Sequence, residues 1–524
     1  MRFTAISAAF LVPITFALFA AQNDPMLVAK IDTGTVSGIA GTAPSMHIFK
    51  CIPFAAPPVG ELRWRAPQPA AKWEGVRKAD TFSPTCMQGN GSTSSEDCLY
   101  LNVWTAAKAP GDRRPVMVFI YGGAYTSGSG SEPRYDGESL AAKGAVVVTF
   151  NYRLGAMGFF SHPELTKESD GRAAGNFGMM DSIAALQWVQ KNIAAFGGDP
   201  RLVTIFGESA GAGMVANLQA SPRATGLFGR VLGESSAWNT ATIGRLNTLA
   251  DAEKAGMKLA DNLGAKSLGE LRAMPVADVM KGAGRGGAAP VVDDWWLPED
   301  PSLIFNAGQQ NAVRVLVGSN RDESFGAAPR DLAAYVDNAK RRFGDLADIY
   351  LKTYPASTDE QAKAAAFFSG RDEMAFVMCN WARLQAQDPR NRTKSDLAQT
   401  KAYVYLFTHQ PPQVPGAKGG GAFGPTVHGA ATHTTELAYV FNVPDKAPWT
   451  DVDRQVSEAM ESYWVNFATN GDPNGKGLPQ WPAYDGVKNK TVMLFGDKTE
   501  AGAAPPTDAQ LAFFQAYYDK LTAK

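Results

Sequence analysis

The chain has 524 residues, 45% of them hydrophobic and 10% aromatic, which is ample for a large buried core. Fifty Lys and Arg stand against 51 Asp and Glu, a formal charge of -1, with no long run of either sign. A nucleic acid needs a basic face that neutralises its phosphates, and nothing here serves such a partner or a polyanionic surface.

The first element is a leader. Met1-Arg2 is a short basic start, and Phe3 to Ala21 is almost wholly apolar or small, which reads as a signal peptide over residues 1–21. Leu18 and Phe19 spoil the small-x-small cleavage pattern, so an uncleaved anchor stays open as the alternative. No later segment reaches the roughly 18 apolar residues that a membrane span needs. The expectation is a secreted or periplasmic protein with no stable membrane insertion after the leader is removed. Cys51, Cys86, Cys98 and Cys379 suit that compartment, because disulfides persist outside the cytosol. There is no Cys-x-x-Cys or His-Glu-x-x-His, and five His leave few zinc ligands. His433 and Glu436 have the spacing of a half-site, but one turn of helix explains that pairing more simply. No metal and no cofactor is expected.

From residue 22 to 524 the chain reads as one domain. Val116–Ile120, Ala145–Phe150, Val203–Phe206, Val313–Val317 and Lys401–Phe407 have the length and β-branched content of strands covered on both faces. Helical stripes lie between them, from Asp181 through Ile183, Leu186, Val189 and Ile193, and from Arg454 through Val456, Met460, Tyr463 and Phe467. Strands alternating with helices predict an α/β fold, a mostly parallel central sheet with helices on both faces. Segments of about 245–310 and 330–400 read as helical insertions that cap the sheet.

Gly207-Glu208-Ser209-Ala210-Gly211 directly follows one of these strands and precedes a run of small residues. That context suits a nucleophile elbow, in which a strand turns sharply into a helix with the Ser at its tip. A serine hydroxyl needs a base, and attack on a carbonyl needs donors for the developing oxyanion. Tyr121-Gly122-Gly123-Ala124, after the Val116 strand, is placed to offer backbone N–H groups.

These motifs resemble the type-B carboxylesterase and cholinesterase family of the α/β-hydrolase fold. Glu96-Asp97-Cys98-Leu99-Tyr100-Leu101-Asn102-Val103-Trp104 matches one family signature and Phe206–Gly211 the other. Asn151-Tyr152-Arg153-Leu154-Gly155, Phe196–Pro200, Asp322-Glu323 and His433-Thr434-Thr435-Glu436-Leu437 follow in order. The resemblance runs from about residue 27 to Tyr484. It implies a serine carboxylic-ester hydrolase working through an acyl-enzyme, with Ser209 as nucleophile, Glu323 as acid and His433 as base. It further implies oxyanion donors at Gly123, Ala124 and Ala210, supporting roles for Ser235 and Glu208, and a Cys86–Cys98 disulfide. Ion pairs of Arg63 with Glu96 and of Arg153 with Asp199 are expected by the same resemblance. Asp322 and His428 are the weaker competitors for acid and base; His47, His162 and His409 read as structural.

Ala124, Cys51 and Asp294 stand where the family usually has Gly, and Ser182 where it usually has Gln. Cys51 and Cys379 leave a second disulfide open. The substrate class is a small aryl, short-chain or bulky-alcohol ester, with Trp296, Phe325 and Phe423 as pocket candidates. An amidase or carbamate hydrolase on the same site is the alternative, followed by a non-catalytic binding protein of the cholinesterase type.

Overall fold

The computed structural model describes residues 24–523, apart from 90–92, 172–173, 239–241, 285–288, 326, 389–400, 415–429, 445 and 504–505. The leader, Phe423 and His428 therefore lie outside the described residues. Eleven strands join in one sheet: β1 (Ile39–Ala40), β2 (His47–Pro53), β3 (Tyr100–Thr105), β4 (Arg114–Ile120), β5 (Val146–Phe150), β6 (Gly198–Glu208), β7 (Arg230–Glu234), β8 (Arg314–Asn320), β9 (Ala402–Phe407), β10 (Thr491–Phe495) and β11 (Thr499–Ala503). Their spatial order is β11-β10-β9-β8-β7-β6-β4-β5-β3-β2-β1. Pairings from β5 through β10 are parallel, and antiparallel strands complete both edges. The parallel strands are apolar runs because both faces are covered: every residue of β5, β7 and β9 is buried.

The helices that matter for the site are α1 (Phe177–Asn192), α2 (Ala210–Ala220), α3 (Leu249–Asn262), α4 (Val276–Ala283), α5 (Leu332–Phe343), α6 (Asp359–Ala386), α7 (Asp451–Asn470) and α8 (Asp508–Thr522). Two successive residues of β7 show how the layers form, since neighbouring side chains on a strand point to opposite faces. Gly233 leaves room for Trp381 of α6, whose ring occupies the place of a Cβ. Glu234 accepts 2.8 Å from the indole N–H of Trp464 on α7. The long helices α6 and α7 thus cover opposite faces. α7 is delimited by its own sequence: Thr450 and Asp453 form a capping box, and Gly471 ends it with φ 68°.

Within the inserted segments, α3 and α4 cover a smaller core of Trp64, Phe160, Leu268 and Val279, whereas α6 packs directly on β8 and β9. No described helix is long and apolar enough to cross a membrane. The carboxyl ends of β4, β6 and β8 lie on one side of the sheet, the side where α/β proteins place ligands. The loops that follow them carry Gly122–Ala124, Ser209 and Glu323.

Candidate active site

β6 ends at Glu208 and α2 begins at Ala210, so Ser209 has to turn the chain in a single residue. It does so at φ 56° and ψ −128°, a conformation that L-residues avoid. Its N–H donates to the Glu234 carbonyl at 2.9 Å, tying the elbow to β7. The flanking glycines have a steric cause. A Cβ at Gly207 would stand 2.5 Å from the Ile120 carbonyl oxygen, and one at Gly211 would collide with that same carbonyl. The loop after β4 lies against the elbow: a Cβ at Gly122 would be 2.9 Å from the Ser209 Cβ. Gly123, Ala124 and Tyr125 then continue with φ of 103°, 53° and 58°.

The structure brings His433 to Glu323, with Nδ1 3.5 Å from Oε1, and its Nε2 lies 3.2 Å from Oε1 of Glu208. Phe325 meets the imidazole edge to face at 4.8 Å. Ser235 donates 2.6 Å to Glu323 Oε1, and the Asn320 N–H donates to the same oxygen at 3.3 Å. Asp322 is turned elsewhere. Arg321 holds its carboxylate at 2.7 Å, and its Oδ2 accepts from the Ala431 N–H at 2.9 Å. Together with a bond from Asn320 Nδ2 to the Thr432 carbonyl at 2.7 Å, this joins the loop that carries Glu323 to the loop that carries His433. Of the thirteen non-glycine described residues with positive φ, five (Ala124, Tyr125, Ser209, Ser235 and Thr434) belong to these loops. Backbone strain gathers where the surroundings hold it for a purpose.

Electrostatics at the site follow from burial. Burial alone would lower the His433 pKa, but the facing carboxylates of Glu208 and Glu323 outweigh it and raise it to about 9. Burial pushes Glu208 up to about 7 despite the attraction of His433, and pushes Glu234 up to about 8 despite the Trp464 N–H. Glu436 is wholly buried, accepts from Asn320 Nδ2, and is also pushed upward by burial. Asn320 had no part in the sequence reading, and Glu436 entered it only beside His433, as a half-site spacing and as part of the family motif. The only signal was position, Asn320 just ahead of Asp322-Glu323 and Glu436 one turn beyond His433. Among the described residues no cluster of three His, Cys, Asp or Glu side chains could hold a metal ion.

Cys86 and Cys98 are bonded to each other. Between them Gln88 reaches the loop after β4: its amide accepts from the Gly128 N–H and donates to the Gly128 carbonyl, each at 2.8 Å. Cys51 and Cys379 are free thiols, so no second bridge forms. Arg63 pairs with Glu96 at 2.7 Å, as expected. Arg153 does not pair with Asp199. It takes Asp181 of α1 at 2.7 and 2.8 Å, while Asp199 folds back on Arg201, two residues along its own chain. Three histidines have structural partners: His47 bonds Asp24, His162 caps a short helix, and His409 sits between Asp453 and Asp497. Trp296 lies between the two cores, with its carbonyl accepting from Ser221.

A parallel sheet flanked by helices, with a strained serine between a strand's carboxyl end and the next helix, is the α/β-hydrolase fold. The family model described as "Carboxylesterase family" matches residues 25–514, and the chain belongs to that family. It is 33% identical over 538 residues to the fumonisin B1 esterase of Sphingopyxis macrogoltabida, covering 95% of this chain and 92% of that one. It is 34% identical over 504 residues to the para-nitrobenzyl esterase of Bacillus subtilis, covering 90% and 96%. The solved carboxylesterase of Geobacillus stearothermophilus superposes with a TM-score of 0.76 at 30% identity, covering 93% of this chain and 99% of that one. The protein is a carboxylesterase.

Proposed function

We propose that ester hydrolysis proceeds through an acyl-enzyme on Ser209, with His433 as general base and Glu323 as its orienting acid. The contact of His433 with Glu323, beside an elbow that presents Ser209, is the observation that carries this reading. The Ser209 oxygen attacks the ester carbonyl carbon while His433 Nε2 takes the hydroxyl proton. The N–H groups of Gly123, Ala124 and Ala210 receive the negative oxygen of the tetrahedral intermediate. Collapse breaks the bond to the alcohol, which leaves with the proton from His433. Water then repeats the sequence on the acyl-enzyme and releases the acid. Glu323 orients and stabilises the imidazolium, fixed in turn by Ser235.

The substrates we propose are aryl, short-chain or bulky-alcohol esters. The relative named for para-nitrobenzyl esters supports an aryl-bearing alcohol. Amide or carbamate hydrolysis would use the same groups and is the secondary reading. We also propose export, on the apolar leader read from the sequence and on the Cys86–Cys98 disulfide, which suits an oxidising compartment.

Ser209→Ala tests the mechanism. Loss of the nucleophile should lower kcat by on the order of 10⁴–10⁶ while the protein folds and binds substrate. An organophosphate that labels wild type should attach at Ser209, and a label on any other serine would overturn the assignment.

A further inference from the structure

Ala124 and Tyr125 are consecutive non-glycine residues in left-handed conformation, at φ 53° and 58°. Each such residue costs roughly 1–2 kcal/mol, and the conformation survives only where its surroundings over-determine it. Ala124 is exposed and its methyl can grip nothing. Tyr125 is 1% exposed. Its carbonyl accepts from the Gly155 N–H at 2.7 Å, and its ring packs on Phe159 with centroids 5.2 Å apart. Its hydroxyl reaches across to α2, where a Cβ at Gly213 would stand 2.6 Å from the phenolic oxygen. Gly213 in turn donates its N–H to the Ser209 carbonyl at 3.0 Å, so it belongs to the turn of helix that begins at the nucleophile. One phenol therefore spans the gap between the loop after β4 and the first turn of α2.

We propose that Tyr125 is a positioning residue: its buried phenol, seated on Gly213, sets the distance between the Gly123 and Ala124 N–H groups and the Ala210 N–H. The inference rests on the assignment of those three groups as oxyanion donors. The two parts of that donor set come from different elements: the pairing of β4 with β6 and the close packing of Gly122 and Gly211 fix where each begins, and beyond Gly122 the left-handed loop rests on Tyr125. A rigid ring with two torsions can hold the loop there where a flexible side chain could not. Burial holds the phenol well above its ordinary pKa, tempered by Asn217 one turn beyond Gly213, so it acts as a neutral spacer.

The geometry defines a size-complementation test. Gly213→Ala drives a methyl against the hydroxyl and should push the loop outward. In an unhindered helix the same change favours folding by about 1 kcal/mol, but here the methyl meets the hydroxyl, so a purely structural role predicts a loss of thermal stability with kcat unchanged. The expected result is a fall of about 10–100-fold in kcat with KM little changed, because misplacement by about 1 Å at a catalytic group can cost 10²-fold. Binding of a trifluoromethyl ketone, which mimics the tetrahedral adduct, should weaken in parallel. Tyr125→Phe keeps the ring and should cost no more than a few-fold. In the double variant the hydroxyl is gone, and the nearest remaining atoms to the new methyl are the Ala237 carbonyl oxygen at 3.1 Å and the Ser236 Oγ at 3.5 Å. Its kcat should return to that of Tyr125→Phe. If the two changes simply multiply, or if Gly213→Ala leaves kcat untouched, Tyr125 is not the spacer. Should Gly213→Ala fail to fold, Tyr125→Leu shortens the spacer instead. A folded Tyr125→Leu enzyme with unchanged kcat and inhibitor affinity overturns the proposal equally. Failure of the donor assignment itself looks different: the effects would then appear in thermal stability, with ketone affinity constant across all four proteins.

Discussion

Nε2 of His433 lies 3.2 Å from Oε1 of Glu208, closer than its Nδ1 lies to Glu323 at 3.5 Å. The imidazole is thus held between two carboxylates, one on each ring nitrogen. Both favour its protonated form, and together they lift it to about 9 against the opposing pull of burial. A general base works only when neutral.

The first prediction is a pH–rate profile whose acid limb lies above the ordinary imidazole range of about 6.5. Activity rises with pH as His433 loses its proton. Glu208→Gln removes one of the two stabilising charges, so the His433 pKa falls and the limb moves toward lower pH, by about one unit or more for an opposite charge this close. Profiles of kcat/KM for the two proteins decide it. Superimposable acid limbs would mean that Glu208 does not govern the protonation of His433.

Two adjacent carboxylates, Asp322 and Glu323, provide a second test. Glu323 accepts from Ser235 and faces His433; Asp322 binds Arg321 and the Ala431 N–H. Glu323→Gln should lower kcat by about 10⁴, the scale seen when a triad acid becomes an amide. Asp322→Asn keeps an oxygen for the Ala431 N–H and should cost less than about tenfold, with the loss showing in stability instead. Equal losses would reassign the acid.

Where the sequence reading succeeded, short-range geometry was decisive. The elbow is legible because its two glycines and the serine fall within five residues, although the Ile120 carbonyl that forces both glycines lies on a distant strand, β4. β7 was missed, since Arg-Val-Leu-Gly-Glu is brief and interrupted by Gly233; that glycine exists for Trp381, nearly 150 residues away in sequence. Arg153 shows the same limit from the other side. Asp181 and Asp199 are both acidic and both follow it in the chain, and only the packing of α1 decides between them. Asn320 and Glu436 join the Glu323 loop to the His433 loop through contacts that no local pattern encodes. Cys51, Ala124 and Asp294, which replace family glycines, have φ of 58°, 53° and 60°. Those are left-handed values, the region that glycine favours.

Thiol chemistry gives a third prediction. Cys86 and Cys98 are bonded, Cys379 is buried, and Cys51 is partly exposed. One thiol should react with an alkylating reagent in native protein, and two after denaturation without reductant. Breaking the disulfide should cost about 2–4 kcal/mol. Because Gln88 clasps Gly128 from inside this loop, Gln88→Ala should also lower kcat with little change in thermal stability. Alkylation of Cys98 in native protein, or a Gln88→Ala enzyme with full kcat, would count against the arrangement.

The last prediction concerns the Ala124 N–H. Proline is a poor way to remove it, because the ring fixes φ near about −65° whereas residue 124 has φ 53°. Replacing Ala124 by lactic acid through unnatural amino acid incorporation exchanges the amide for an ester, keeping the methyl and deleting only the donor. Loss of one oxyanion donor typically lowers kcat by about 10²–10³. The complementary change, Ala124→Gly, keeps the N–H, suits the left-handed backbone and removes an exposed methyl two residues after Gly122, which packs against Ser209. It should leave kcat on short aryl esters nearly constant and raise kcat/KM several-fold on esters of tertiary alcohols, whose crowded carbon needs that space. The two substitutions separate electrostatics from room. If the ester-linked enzyme turns over at the wild-type rate, the oxyanion is held elsewhere; if Ala124→Gly leaves the preference between tertiary and primary alcohols unchanged, the methyl does not face the alcohol side of the substrate.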